Sequence, residues 1–148
     1  MKTVGLIAAC LVLSGCGTDD PPPPARADLI ARANAPVICE GARECDVAWG
    51  RAIAWVSQTC RFRIAMHSEW LIETDRDRRP ADWRLSCRVN RVPIDDRRAR
   101  LDLAAWCNGV RVLGFGTCSP DELESRAAFH DAVMEVIERS RAPGPSDR

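Results

Sequence analysis

Cysteine placement constrains this chain more than any other feature. Of eight cysteines in 148 residues, Cys10 and Cys16 lie in or just after an apolar amino-terminal run, and Cys39, Cys45, Cys60, Cys87, Cys107 and Cys118 are spread through the remainder. In an oxidising compartment an even set of six is a disulfide framework; in a reducing one it is more often a metal or redox site. A zinc site needs pairs of cysteines separated by roughly two to four residues. None of the six is so spaced, so no metal ligand and no cofactor is expected. On count alone every pairing of the six remains open.

The amino terminus decides the compartment. Lys2, the apolar run at residues 4–13 and Leu13-Ser14-Gly15-Cys16 have the layout of a secretory signal and fall short of the roughly 20 residues of a membrane span. The last four residues resemble the bacterial lipobox. That resemblance implies removal of residues 1–15 and lipidation of Cys16, whose acyl chains hold the protein on a membrane. Ile7-Ala8-Ala9-Cys10 has the same pattern, but cleavage there leaves too little apolar sequence for export. By resemblance to lipoprotein sorting, Gly17 is not the aspartate that retains such proteins at the inner membrane. The expected location is therefore the outer membrane on its periplasmic side, with the inner membrane and the cell surface as alternatives.

Composition is consistent with a single exported domain. The chain from Cys16 to Arg148 is long enough to bury about two-thirds of its unfolded surface. The 21 basic residues include one lysine, Lys2, which leaves with the signal, so twenty arginines face 21 acids. This neutral balance argues against a nucleic-acid partner, which is usually met by a basic excess. After the anchor, the four prolines at residues 21–24 favour an extended polyproline rod. Residues 25–35 read as small and charged with at most a frayed helical turn. Residues 16–36 are thus a tether, residues 37–141 the domain, and residues 142–148 a disordered tail.

Within the domain, Val37-Ile38-Cys39 reads as an apolar lead-in and residues 39–45 as a compact loop. Asp46 is placed to cap a helix whose core face is Trp49, Ala52, Ile53, Val56 and Cys60, with Trp55 at its flank. Alternation then sets Phe62, Ile64 and Met66 inward on a first strand. His67-Ser68-Glu69 turns the chain into a return strand at residues 70–74, and residues 75–82 form a charged loop. A third strand points Trp83, Leu85, Cys87 and Val89 inward and Arg84, Ser86, Arg88 and Asn90 outward. Residues 93–96 turn, and a fourth strand sets Ala99, Leu101, Leu103, Ala105 and Cys107 against Arg100, Asp102, Ala104 and Trp106. Ser119-Pro120-Asp121-Glu122 reads as a capping box that opens a last helix, with Leu123, Phe129, Val133, Val136 and Ile137 as its stripe.

These phases narrow the cysteine pairing. Cys39 and Cys45 flank one short loop. Cys60 and Cys87 both face the core, and Cys107 and Cys118 bracket a glycine-rich connection, so the expected bridges are 39–45, 60–87 and 107–118. The expected fold is α+β: a helix, a four-stranded antiparallel meander and a second helix, with both helices on one sheet face. Cys45-Asp46 leading to Trp49 and Trp55-Val56, then Leu71-Ile72-Glu73-Thr74, and the paired Cys107 and Cys118 resemble a group of small bacterial envelope lipoproteins of uncharacterised function. The resemblance implies a fold and a location without an activity. At the level of fold alone, the architecture is similar to helix-grip modules of lipoprotein subunits in outer-membrane assembly machines.

No G-x-S-x-G elbow, H-E-x-x-H pair or phosphate-cradling loop is present in the sequence. Gly109, Gly114 and Gly116 read as turn residues, and the acidic pairs 95–96 and 121–122 as turn and cap. His67 sits in a turn and His130 at a core edge, each with a structural reading. The outward arginines Arg63, Arg84, Arg88 and Arg100, interleaved with Glu73 and Asp102, form a face suited to an acidic protein surface or an anionic glycan. Trp70, Trp83 and Trp106 stand at its edges. The expected function is that of a non-catalytic envelope binding or scaffold protein; the alternative is an envelope hydrolase with a site near His67 or His130.

Overall fold

A computed structural model describes residues 24–75, 85–107 and 121–142. Cys16, the expected lipidation site, together with Trp83, Arg84, Cys118 and the pair Ser119-Pro120, lies outside the described residues. The described chain is α+β, with three helices and a five-stranded antiparallel sheet. Its elements run α1 (Pro24–Asn34), β1 (Val37–Glu40), α2 (Gly41–Thr59), β2 (Ile64–His67), β3 (Leu71–Thr74), β4 (Leu85–Pro93), β5 (Arg98–Cys107) and α3 (Glu122–Arg141). The sheet order β1-β5-β4-β3-β2 is a meander that starts at the far edge and walks back to the strand preceding it.

The sheet therefore has five strands and not the expected four. The extra one is β1, the segment expected as an apolar lead-in. Val37 pairs with Leu101 and Cys39 with Ala99, and both cysteine and valine are buried. Four residues give too short an alternation to separate a strand from a linker, and the partner that fixes it arrives late in the chain. A second difference is α1. Ala- and Arg-rich sequence with proline in the first turn favours a helix, and Asp28 accepts from Arg32 one turn on at 3.0 Å. α1 packs against α3 through buried Ala33, an ion pair from Arg32 to Asp131 and a 2.9 Å bond from Arg126 to Asn34.

The core forms where the inward residues of the sheet meet α2 and α3. Cys39, Ile72, Cys87, Val89 and Leu101 lie beneath Trp49, Val56, Phe129, Val133 and Ile137. Trp55 belongs to this core and is not a flanking residue: it is 5% exposed, and its ring meets Phe129 edge-on at 5.3 Å, an arrangement favoured by the ring quadrupoles. Two bridges staple α2 to the sheet. Cys39–Cys45 joins β1 to the first helical turns, and Cys60–Cys87 joins the helix end to β4, with Cα separations of 5.0 and 5.9 Å. Cys107 is also disulfide-bonded.

Both long helices begin at other residues than expected. α2 starts at Gly41, five residues before Asp46; Gly41 has φ 75°, the left-handed region that glycine enters without steric penalty. Its N–H donates to Arg97 O at 2.7 Å, and the Glu40 N–H donates to Glu44 at 2.8 Å. Asp46 is left exposed on the helix surface. In α3 the cap is Asp121, paired reciprocally with Glu124 in a capping box. Two overlapping signals, S-x-x-E and D-x-x-E, sit two residues apart, and the second one opens the helix.

Candidate functional site

α2 and α3 cover one face of the sheet, and no described element packs on the other. The register places the residues of this open face in rows: Met66, Glu73, Arg88 and Ala104 in one, Val92, Arg100 and Ile38 in another. Strand pairing alone decides this arrangement, because residues directly opposite each other in adjacent strands share a face.

Arg88 and Arg100 occupy the open face as expected, and Arg63 lies beside its edge. Each is neutralised. Arg88 Nε and Nη2 donate to Glu73 Oε2 across the strand pair at 3.2 and 2.8 Å. Arg100 grips both oxygens of Asp102, two residues on, at 2.8–3.0 Å, and Arg63 pairs with Asp75. Alternation finds the outward parity of the arginines, but a spacing of two on one strand, or a facing position on the next, brings an acid to each. The face is thus a mosaic of closed ion pairs, not a basic patch.

A bulge changes the apolar content of this face. Between Ile64 and Met66 the register of β2 against β3 slips by one residue, which turns every later side chain to the opposite side. Ile64 stays with the core, whereas Met66 faces outward beside Glu73 and is 53% exposed. The expected inward position of Met66 is therefore corrected. Val92 and Ile94 are also exposed. Phe62 lies before the strand rather than in it.

No family model matches the chain, and neither a curated protein nor a solved structure is significantly similar to it.

The two histidines lie on separate elements. His67 ends β2, opposite Ile72, and is exposed. Ser68 Oγ accepts the N–H groups of Trp70 and Leu71 at 3.2 and 3.1 Å, which makes it a turn-former. His130 on α3 keeps 19% side-chain exposure with Nδ1 3.1 Å from Asp131. For the Asp131 carboxyl, partial burial acts upward, but the bonds from His130 and Arg32 outweigh it and hold it below the usual range. Among the described residues no group of three or more histidine, cysteine or acidic side chains is gathered as a metal site would require.

Trp70 projects from the β2–β3 turn at 47% exposure. The Arg91 guanidinium stands 5.8 Å from its ring centroid and 3.5 Å from Asp46, and this cation–π contact fixes the tryptophan beside the start of α2. Trp106 is half-buried next to Ser86 at the opposite end of the sheet. Among the described residues no helix is long and apolar enough to cross a membrane.

Proposed function

We propose that this chain is a lipid-anchored bacterial envelope protein with no catalytic role. Acyl chains on Cys16 hold it at the outer membrane facing the periplasm, and its disulfide-stapled domain binds another envelope component, a protein or an anionic glycan, through the open face of the sheet. The observation that carries the reading is the stretch of this face around Met66 and Val92, on which no described element packs. Apolar Met66 and Val92 stand there between fixed ion pairs. Ion pairs held in register present alternating charge with little freedom left to lose on binding, which favours a complementary, specific partner over a diffuse acidic one. Support for export comes from the signal-like amino terminus and from bridges that persist in oxidising compartments.

Crosslinking of the tagged protein in cells followed by pull-down tests this reading, with Arg88→Glu/Arg100→Glu as comparison. One dominant envelope partner, lost in the charge-reversed protein while the domain stays folded, is the expected result. Capture unchanged by the two reversals would remove the face from the account.

A further inference from the structure

The sheet has a second, smaller opening at its edge. β1 covers only Arg98 to Leu101 of β5, while β4 pairs with β5 as far as Cys107. Beyond Leu101, β5 has a neighbour on one side alone among the described residues. The bonding phase says what that edge offers. Gly41 N–H donates to Arg97 O on the β1 side, and Ile94 N–H donates to Arg98 O on the β4 side, so odd-numbered residues of β5 bond toward β1 and even-numbered ones toward β4. Continuing that alternation, the N–H and C=O of Leu103 and Ala105 point to the open edge.

A groove runs along this edge, walled on the far side by α3. Two adjoining clefts, about 380 and 470 Å³, share Leu103 and Arg126 as lining residues. Leu123 and Phe129 supply apolar wall, Arg100, Asp102 and His130 supply polar wall, and Arg126 stands where the two clefts meet. Its guanidinium donates to Asn34, and no carboxylate of the described residues pairs with it, unlike Arg88, Arg100, Arg139 and Arg141, which all have acids. The chain itself does not continue β1 into the groove, because α1 runs to Asn34 and only Ala35 and Pro36 separate it from the start of β1 at Val37.

We infer that this groove binds an extended peptide segment of a second protein, added as a strand beside Leu103–Ala105 with an acidic side chain on Arg126. Unpaired backbone at a sheet edge supplies the affinity in such strand addition, and a side-chain pocket supplies the selectivity. A carboxylate is the group that complements a guanidinium whose one partner among the described residues is a neutral amide. The inference is independent of the sheet-face reading, since it uses neither Arg88 nor Met66.

The test uses the whole chain and a capped peptide of alternating valine and threonine with one central glutamate, followed by fluorescence polarisation and amide hydrogen exchange. The glutamate peptide should bind saturably and slow exchange at Leu103 and Ala105. Its glutamine counterpart, and the Arg126→Gln protein, should each weaken binding about tenfold, methylation of alternate peptide nitrogens should abolish it, and Arg139→Gln, at an exposed position of α3, should leave it unchanged. Failure of the glutamate peptide to bind up to about 1 mM, equal binding of glutamate and lysine peptides, or protection mapping to the open face would overturn the inference. So would a concentration-dependent dimer that protects Leu103 and Ala105 without peptide, because a second copy of the chain would then hold the edge.

Discussion

At the residue scale the strongest constraints are local and chemical. Gly41 is the clearest: with φ 75° and no atom within 4 Å of where a Cβ would stand, any substitution is opposed by backbone strain and not by crowding. Gly41→Ala should therefore cost about 1 kcal/mol, read as a shift of the urea midpoint with unchanged slope; no shift would show that the turn relaxes. Glu44 ties the start of α2 to the end of α3, accepting from Arg141 at 2.8 and 2.7 Å. The Arg141 guanidinium holds its carboxyl below the ordinary value of 4.5 against an opposing effect of burial, helped by the Glu40 N–H. A lowered carboxyl stabilises the fold above its ordinary range and loses that contribution as pH falls through the lowered value. Glu44→Gln should cost about 1 kcal/mol at pH 7, Arg141 being half exposed, and the gap from wild type should narrow as pH falls below the ordinary carboxyl value and close once it has passed through the lowered one. A gap constant with pH would show that packing, not charge, sets it.

Elements divide by how far their determinants lie from them in sequence. α2, β3, β4, β5 and α3 are legible because each carries its own periodicity; the bridge 60–87 follows from the phases of those elements, and 39–45 from its short spacing alone. β1 is not, since Val37 becomes a strand residue only by meeting Leu101. α1 escapes for a related reason: only Ala33 is fully buried, beside half-buried Leu29 and Ile30, and polar bonds supply much of its anchorage, so its apolar stripe is short. The bulge in β2 adds one residue that no alternation rule foresees, and it turns Met66 outward. Met66→Lys should cost less than about 0.5 kcal/mol, whereas Ile72→Ala, which empties a fully buried position, should cost about 2–5 kcal/mol. Thermal unfolding of the two variants side by side checks this. A severe loss from Met66→Lys would place that side chain in the core.

For the whole molecule, the open face and its arginines were legible as outward parity, but their pairing was not. Asp75, Glu73 and Asp102 neutralise Arg63, Arg88 and Arg100 through register and spacing, which composition cannot show. Removing Cys60–Cys87 by double alanine substitution should cost about 2–5 kcal/mol, measured by chemical denaturation against wild type. A smaller loss would mean that α2 holds the sheet without its staple. The lipid account predicts that Cys16→Ala abolishes palmitate labelling and leaves the protein in the soluble fraction, whereas Cys10→Ala changes neither. Labelling that survives Cys16→Ala would move or remove the anchor.

The central claim is that the open sheet face meets a partner in the envelope. Its most direct measurement is photocrosslinking in living cells with a photoreactive residue placed in turn at Met66, at Val92 and, as control, at Glu135 on exposed α3. The account predicts the same crosslinked product from Met66 and Val92, its loss with Arg88→Glu, and none from Glu135. No product from either face position, or an equal product from Glu135, would contradict it.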